Sequence, residues 1–284
     1  MIHVEGLVYR YPRADVDALK QVTFSVEEGE IFGFLGPSGA GKSTVQRVLN
    51  KQLDAAAGVV HFDGRPLAEL GTDYFESIGV AFELPNLYER LTGEANLSLV
   101  AGLYKSPCQP AQVLFERVGL DRALDKRVST YSKGMKQRLV FLRAIQHQPK
   151  MLFLDEPTGG NDPATTELMI DVIRQERNRG ATVLLTTHDM HVADALCDRI
   201  AFINDGQIVA CDTPRNLKLA HGQSGIAVEY AEQGQLHQVV IDGSTPQGRS
   251  ELDRLLATGQ VQTVHSREAT LGEIFIKLTG RELR

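Results

Sequence analysis

The sequence predicts an α/β fold with a mixed, mainly parallel sheet, an antiparallel β subdomain, a helical insertion and a small C-terminal α+β appendage. A short apolar run at 31–35 leads directly into a glycine-rich loop, and a helical segment begins at Lys42. Further apolar runs at 151–154 and 181–186 alternate with helical segments. This alternation is typical of parallel sheets covered by helices.

Taken in chain order, the first elements are strands. Residues 3–8 and 22–26 alternate apolar and polar side chains, as half-buried strands do. The segment 42–53 has helical character. The apolar run 59–62 precedes an Asp-Gly pair, which indicates a strand followed by a tight turn.

Helical character then dominates from about residue 84 to residue 148, and we interpret this block as a helical insertion. Its last helix, 137–148, stops at Pro149. After the strand at 151–154 a helix is expected at 164–179. The strand at 200–203 is expected to turn through an Asn-Asp-Gly sequence into a hairpin that closes the core.

Composition shifts near 221–225, where we place a linker. The predicted domains are therefore 1–221 and an accessory domain, 222–284. In the accessory domain, alternating apolar residues predict strands, followed by two helices at 248–258 and 269–280.

Composition also excludes several classes of function. The chain has 284 residues, is 42% hydrophobic and carries a net charge of −6. No nucleic-acid partner is expected, because proteins that bind phosphate backbones carry a basic surface. No apolar run is long enough to span a bilayer, and the N-terminal residues lack a signal-peptide pattern. The three widely spaced cysteines are expected to be thiols in a reducing cytoplasm.

The glycine-rich segment has the pattern of a phosphate-binding loop. Small residues let successive backbone N–H groups converge on phosphate oxygens, and the helix behind the loop points its N-terminus at them. Lys42 is placed to reach the β- and γ-phosphates, and the Ser43 hydroxyl to ligate Mg²⁺. The segment predicts a P-loop NTPase core with nucleotide contacts from Gly36, Pro37, Ser38, Gly39, Ala40, Gly41, Lys42, Ser43 and Thr44.

Two carboxylates and a histidine follow strands of the same predicted sheet. The carboxyl ends of parallel strands form the ligand crevice of such sheets. We expect Asp155 to hold Mg²⁺ and Glu156 to act as a general base on the attacking water. His188 is expected to contact the γ-phosphate and orient that water. The alternatives are a strand cap and a structural histidine, and the phosphate-binding loop favours the catalytic interpretation.

Ser132 precedes a helix that it can cap, and the exposed N–H groups there offer a second anion site. An ordinary helix start explains this segment equally well when it is considered alone.

Together these segments resemble the ATP-binding subunit of ABC transporters over about residues 1–221. The phosphate-binding loop is similar to the family's Walker A, and Asp155-Glu156 to its Walker B. Ser132 to Lys136 resembles the signature sequence, Asp162 the D-loop and His188 the switch histidine. Tyr11 lies where the family has an aromatic residue that stacks on adenine.

The resemblance implies an ATPase that uses ATP and Mg²⁺ and works as a head-to-tail dimer, most simply a homodimer. Each ATP would lie between one subunit's loop and the other subunit's Ser132 and Gly134, with Asp162 nearby. Dimer closure on ATP would drive a separate integral-membrane permease. The subunit would then be peripheral, at the cytoplasmic face of the membrane.

The sequence departs from the family pattern at three places. The signature contains Lys133 and Met135 where glycine and glutamine are usual, and the D-loop contains Asn161 where leucine is usual. Glu83 stands where the family has the Q-loop glutamine. Glutamate can still ligate Mg²⁺, but it adds negative charge near phosphate and lacks the amide donor.

The segments 131–138, 83–88 and 268–275 resemble the drug- and antibiotic-resistance branch of prokaryotic exporters. We therefore expect the ATPase subunit of an exporter for drugs or antibiotics, with 83–91 and the rim of the helical insertion contacting the permease. The alternatives are an importer subunit, a catalytically weak regulatory subunit, and a non-transport ABC ATPase such as one for iron–sulfur assembly. Chromosome proteins are disfavoured, because the interval between the phosphate-binding loop and the signature is too short for a long coiled coil. Translation factors are disfavoured, because they carry two such domains and the sequence contains one.

Overall fold

The computed structural model describes residues 1–222, 225–232 and 235–280. The strands are β1 (Ile2–Tyr9), β2 (Leu19–Val26), β3 (Ile31–Leu35), β4 (Ala57–Phe62), β5 (Arg65–Pro66), β6 (Ile78–Ala81), β7 (Met151–Asp155), β8 (Thr182–Thr187), β9 (Arg199–Asn204), β10 (Gln207–Asp212), β11 (Gly225–Glu232), β12 (Gln235–Ile241) and β13 (Val261–Arg267). The helices are α1 (Lys42–Leu49), α2 (Asp73–Ser77), α3 (Gly93–Ala101), α4 (Ala111–Arg117), α5 (Lys133–Ile145), α6 (Pro163–Asn178), α7 (Met190–Leu196), α8 (Pro214–His221), α9 (Pro246–Ala257) and α10 (Leu271–Thr279).

The central sheet has the strand order β10-β9-β3-β8-β7-β6, and only β10 runs antiparallel to its neighbour. Every residue of β3, β7 and β8 is buried, which explains why apolar residues dominate β3, β7 and the centre of β8. In the parallel register Leu35 pairs with Thr187, and Asp155 pairs with Thr186. The carboxyl ends of these three strands therefore meet at one edge of the sheet.

A second, antiparallel sheet has the order β2-β1-β4-β5. Its residues share a hydrophobic core with the central sheet. The Phe24 ring on β2 lies 4.9 Å from the ring of Phe34 and 5.5 Å from that of Phe32, both on β3. Packing of these buried rings holds the two sheets together.

Helix α1 is tied to the central sheet by a buried glutamine. The Gln46 amide donates to the Leu154 carbonyl at 3.0 Å and to the Leu184 carbonyl at 3.4 Å. These bonds fix the start of α1 over the edge where β7 and β8 end. The helix stops at Leu49, because Lys51 has a φ of 61°, so the predicted extension to residue 53 is wrong.

The block between β6 and β7 is helical, as the sequence predicts. Its last helix, α5, begins at Lys133, where the Ser132 hydroxyl caps it by accepting from the Met135 N–H at 3.2 Å. It ends at Ile145, and Gln148 has a φ of 53°. The cap expected at Ser132 is therefore present, and the helix ends a few residues before the predicted end at 148.

By its internal contacts the chain divides into two compact units, Met1–Asp212 and a unit that begins at Thr213. The second unit contains α8 and a three-stranded antiparallel sheet, order β12-β11-β13. Val228, Ile241 and Leu255 form its small core. Part of the predicted linker is the end of α8 and part is the start of β11, whereas residues 223 and 224 lie outside the described residues. The predicted domain boundary at 221 stays a prediction.

In this unit β13 was not predicted from the sequence, whereas both predicted helices are present as α9 and α10. Among the described residues, no helix is both long and apolar enough to cross a membrane.

Candidate functional site

A cavity of about 670 Å³ lies at the edge where β3, β7 and β8 end. Residues from separate parts of the sequence line it together. Those predicted from the sequence are Tyr11, Ser38, Gly39, Gly41, Lys42, Ser43, Thr44, Glu83, Asp155, Glu156 and His188.

The phosphate-binding loop depends on close packing of its glycines. A Cβ on Gly36 would lie 2.2 Å from the Ile203 carbonyl oxygen, and Gly41 has a φ of 112°. Only glycine meets both demands without strain. Gly36, Pro37 and Ala40 do not line the cavity. The carbonyls of Gly36 and Pro37 accept hydrogen bonds from Lys42, and Ala40 is buried.

Lys42 holds its ammonium group inside the loop. Its Nζ donates to the Gly36 carbonyl at 2.6 Å and to the Pro37 carbonyl at 3.0 Å. Burial lowers the pKa of Lys42, and the nearby charges of Glu156, Asp155 and Glu83 oppose that shift. A desolvated cation facing the cavity is suited to binding phosphate oxygens.

Oxygen groups that suit Mg²⁺ converge beside this lysine. The Ser43 hydroxyl donates to Asp155 Oδ1 at 3.3 Å, and the Thr186 hydroxyl bonds to the same oxygen. Glu83 lines the same cavity. Within the described ranges, no group of three or more His, Cys, Asp or Glu side chains is arranged to hold a metal ion. The donor set fits Mg²⁺ bound through one or two carboxylates and nucleotide phosphates.

Glu156 and His188 form a hydrogen-bonded pair. Glu156 Oε1 accepts from His188 Nδ1 at 2.7 Å and from the His188 backbone N–H at 3.0 Å. Glu156 Oε2 accepts from the Thr187 hydroxyl at 3.1 Å. Because the carboxylate only accepts, His188 carries a proton on Nδ1. His188 is 66% exposed and Glu156 12%, so the second ring nitrogen is accessible to a ligand.

The backbone of Glu156 is strained, with a φ of 48°. Its N–H donates to the Thr186 carbonyl at 3.0 Å, and its carbonyl accepts from the Gly159 N–H at 3.0 Å. A non-glycine residue in this region is costly and persists where surrounding bonds hold it. The left-handed turn places the Glu156 carboxylate beside His188, one residue beyond Asp155.

Tyr11 lies at the wall of the cavity. Its hydroxyl is 3.0 Å from Thr44 Oγ1, and its ring meets the Tyr9 ring edge to face at 4.9 Å. Asp17, Lys20 and Asp205, which were not predicted from the sequence, also line the cavity. The only signal for Asp205 was its place in the predicted hairpin.

Ser132, Gly134 and Asp162 are predicted site residues that do not line the cavity. Gly134 packs against the D-loop, since a Cβ there would lie 2.7 Å from Asn161 Oδ1. Asp162 caps α6 by accepting from the Thr165 N–H at 3.0 Å and from its hydroxyl at 2.7 Å. These bonds lower the pKa of Asp162. The two helix starts therefore form a surface separate from the cavity.

The fold and the cavity define a P-loop ATPase of the ATP-binding-cassette class. A family model described as ABC transporter matches residues 19–159. The chain is 44% identical to the fluoroquinolones export ATP-binding protein of Mycobacterium tuberculosis (strain CDC 1551 / Oshkosh), over 100% of this chain and 94% of that protein. It is 33% identical to the Nod factor export ATP-binding protein I of Rhizobium meliloti, over 95% and 86%.

The structure also resembles an ATP-binding cassette solved as a dimer in a post-hydrolysis state bound to ADP and Pi. The TM-score is 0.69 and the identity 26%, over 75% of this chain and 98% of that chain. The chain therefore belongs to the ATP-binding proteins of ABC transporters. The predicted fold class, the resemblance to exporter ATPases and ATP hydrolysis as the activity are confirmed. ABC ATPases work as dimers with membrane permease subunits, whereas the roles of individual residues stay predictions.

Proposed function

We propose that this chain is the ATPase subunit of an export system that removes drugs, with fluoroquinolones as the first substrate class to test. The observation that carries the proposal is the 44% identity to a fluoroquinolones export ATP-binding protein over 100% of the chain. The similarity thus extends through the C-terminal unit. The substrate contacts would lie in the permease.

The side chains of the cavity support a division of labour in hydrolysis. Lys42 and the loop N–H groups would bind the β- and γ-phosphates. Ser43, Asp155 and Glu83 would hold Mg²⁺, which neutralises charge on the phosphate oxygens. Glu156 would take a proton from the attacking water. His188 would orient the Glu156 carboxylate through Nδ1 and reach toward the γ-phosphate through Nε2.

The active form in this proposal is a homodimer. Ser132, Gly134 and Asp162 lie on a surface away from the subunit's own cavity, so they can serve the cavity of a second copy. The dimeric state of the related cassette supports this arrangement. Tyr11 would stack on the adenine of the ATP held by its own subunit.

A second cavity, of about 660 Å³, supports a docking site for the permease. It is lined by Phe82, next to Glu83, and by the exposed apolar side chains of Phe75 and Leu103. Leu84, 79% exposed, lies nearby in sequence. A permease segment bound there would place the subunit at the cytoplasmic face of the membrane, and movement of residues 83–91 would link the two cavities.

A pull-down from native membranes tests the proposal. Tagged Glu156→Gln protein is expected to recover a membrane protein with several spans when ATP and Mg²⁺ are present. The matched control is Lys42→Ala, which is expected to recover much less of the same protein. Recovery of soluble chains alone would contradict the transport function.

A transport assay then tests the substrate class. Cells that contain this ATPase subunit and its permease are expected to export a fluorescent fluoroquinolone. Cells that contain the permease with the Glu156→Gln subunit are expected to retain it. Equal retention in both strains would exclude this substrate class while leaving the ATPase assignment intact.

A further inference from the structure

Lys133 lies in the signature segment between Ser132 and Gly134, the two residues that the proposed site uses. The resemblance to the family's signature places it where glycine is usual. Its side chain is exposed at the first turn of α5, directly after Ser132. An ammonium group at this point changes the charge of the surface that faces a second copy.

The other basic side chains of α5 are all engaged within the subunit. The Lys136 ammonium donates to the Glu89 carboxylate. The Arg138 guanidinium donates to the Val118 carbonyl at 2.8 Å. The Arg143 guanidinium donates to the Asn86 carbonyl at 2.7 Å. In the part of the chain that the structure describes, no hydrogen bond or ion pair engages the ammonium of Lys133. The charge of Lys133 is therefore available to a partner.

The stem of Lys133 is nevertheless positioned. Gly160 has a φ of 78°, and a Cβ built there would lie 3.2 to 3.5 Å from three carbons of the Lys133 side chain. The lysine stem therefore lies over the bare backbone of the D-loop. The stem thus lies beside the surface formed by Ser132, Gly134 and Asp162, and the positive φ at residue 160 favours glycine there.

The cavity that would face this surface has an excess of negative charge. Its lining contains the carboxylates of Glu83, Asp155 and Glu156 beside the ammonium group of Lys42. The Asp17 carboxylate, which also lines the cavity, is paired with Arg10 at 2.7 Å. ATP adds further negative charge. Glu83 stands where the family has a neutral glutamine, so it adds one negative charge to this excess. Lys133 stands where glycine is usual and supplies one positive charge.

We propose that Lys133 binds the γ-phosphate of the ATP held by the other copy of the chain, and so offsets across the dimer interface the charge that Glu83 adds. This inference rests on the proposed head-to-tail dimer. A charged donor to a phosphate gives a stronger hydrogen bond than a backbone N–H alone, especially where closure excludes water. The contact forms only on closure, so Lys133 strengthens ATP-driven dimerisation rather than ATP binding to the separate subunit.

Sedimentation velocity of Glu156→Gln protein with ATP and Mg²⁺ measures this dimerisation. Adding Lys133→Met, which keeps the stem and removes the charge, is expected to weaken dimerisation on the order of tenfold. Lys133→Arg is expected to retain it, and Lys126→Met, at an exposed lysine of the same helical block, is the matched control. ATP affinity of the separate subunits is expected to change less than about twofold, because the contact is absent there. Dimerisation of Lys133→Met equal to that of the control overturns the proposal.

Mixed dimers show whether the lysine acts across the interface. Both subunits of each dimer carry Glu156→Gln, and the dimer also carries one Lys42→Ala and one Lys133→Met change. The two subunits have different tags, so that mixed dimers can be purified. The amount of ATP retained per dimer is then measured. With the changes on opposite subunits, one composite site is intact and about one ATP is expected. With both changes on one subunit, no composite site is intact and ATP retention is expected to fall well below one per dimer. Equal retention, or the reverse pattern, overturns the proposal.

The same mixed dimers with Ser132→Ala in place of Lys133→Met distinguish an error in the role of Lys133 from an error in the head-to-tail dimer. If Ser132→Ala gives the cross-subunit pattern and Lys133→Met does not, only the role of Lys133 is wrong. If Ser132→Ala also lacks the pattern, the head-to-tail dimer of the proposed function is wrong, and the inference about Lys133 falls with it.

Discussion

Both carboxylate oxygens of Glu156, the proposed general base, accept hydrogen bonds. His188 occupies Oε1 and Thr187 occupies Oε2, while the strained backbone at 156 holds the carboxylate at the cavity. Geometry of this kind is expected of a base that acts on one oriented water.

Replacing Glu156 with glutamine removes the base and keeps the shape. Phosphate release is expected to fall on the order of 10²- to 10³-fold, because the amide cannot accept the proton of water. ATP affinity is expected to change little, since Lys42 and the loop are unaltered. Steady-state phosphate release and fluorescent-nucleotide binding measure the two effects. Glu167→Gln is the control, because Glu167 also bonds a histidine, His191, at 3.0 Å but does not line the cavity. Turnover at the parental rate in Glu156→Gln would show that another group is the base.

Glu83 is the second residue whose charge has a measurable consequence. Glu83→Gln removes negative charge close to Lys42, so ATP without Mg²⁺ is expected to bind a few-fold more tightly. The Mg²⁺ concentration for half-maximal hydrolysis is expected to rise, because a carboxylate ligand is lost. Nucleotide titrations with chelator and with graded Mg²⁺ measure both effects. Glu94→Gln, at an exposed position of α3, is expected to change neither, and a Glu83→Gln protein with unaltered metal dependence would remove Glu83 from the metal site.

At the scale of elements, sequence patterns predict what is locally encoded. β3 and β7 are mainly apolar runs, and β8 has an apolar centre flanked by threonines, because both faces of each strand are buried. β13 escaped prediction because most of its side chains are exposed, which leaves no alternation of apolar residues. The start of α5 is encoded by the cap at Ser132, which the sequence indicates, rather than by apolar spacing.

Gln46 shows how one polar side chain can hold a helix against a sheet. Gln46→Met keeps the size but leaves the carbonyls of Leu154 and Leu184 without this donor. The free energy of unfolding is expected to fall by about 1 to 3 kcal/mol, because buried carbonyls lose their partner. Urea unfolding measures the change. Gln52→Met, at an exposed position, is expected to stay within about 0.5 kcal/mol of the parent. A Gln46→Met protein as stable as this control would mean that the helix does not depend on these bonds.

At the scale of the whole molecule, the candidate site is a product of register. Parallel pairing brings Asp155 next to Thr186 and the end of β3 next to Thr187, so motif residues far apart in sequence share one edge. Motifs alone predicted that group.

Asp17, Lys20 and Asp205 were not predicted, because tertiary contacts bring them to the cavity. Asp17 and Asp205 lie in connecting segments, and Lys20 lies at the start of β2. The Lys20 N–H donates to the Gly206 carbonyl at 2.8 Å, and the Gly206 N–H to the Ala40 carbonyl at 3.0 Å. Such contacts have no signature in local sequence.

The two compact units lead to a prediction about where the chain can be divided. All residues that line the nucleotide cavity precede Asp212. Helix α8 belongs with the second unit, because it contacts α10, and Lys277 Nζ donates to the His221 carbonyl at 2.8 Å. Leu217 on α8 is 2% exposed. A chain that ends at Asp212 therefore removes the second unit whole, whereas a chain that ends at residue 221 keeps α8 without its partner helix.

The shorter chain, 1–212, is expected to unfold cooperatively and to bind ATP within about threefold of the parent, since a compact unit with its own core can fold alone. The longer chain, 1–221, is expected to aggregate more readily, because the α8 face that α10 covered becomes exposed apolar surface. Thermal unfolding, light scattering and nucleotide titration compare the two chains with the parent. If 1–212 fails to fold while 1–221 folds, then α8 completes the nucleotide-binding unit and the division belongs near residue 221. If both fold and bind ATP equally, α8 is neutral to the first unit and stability alone does not locate the boundary.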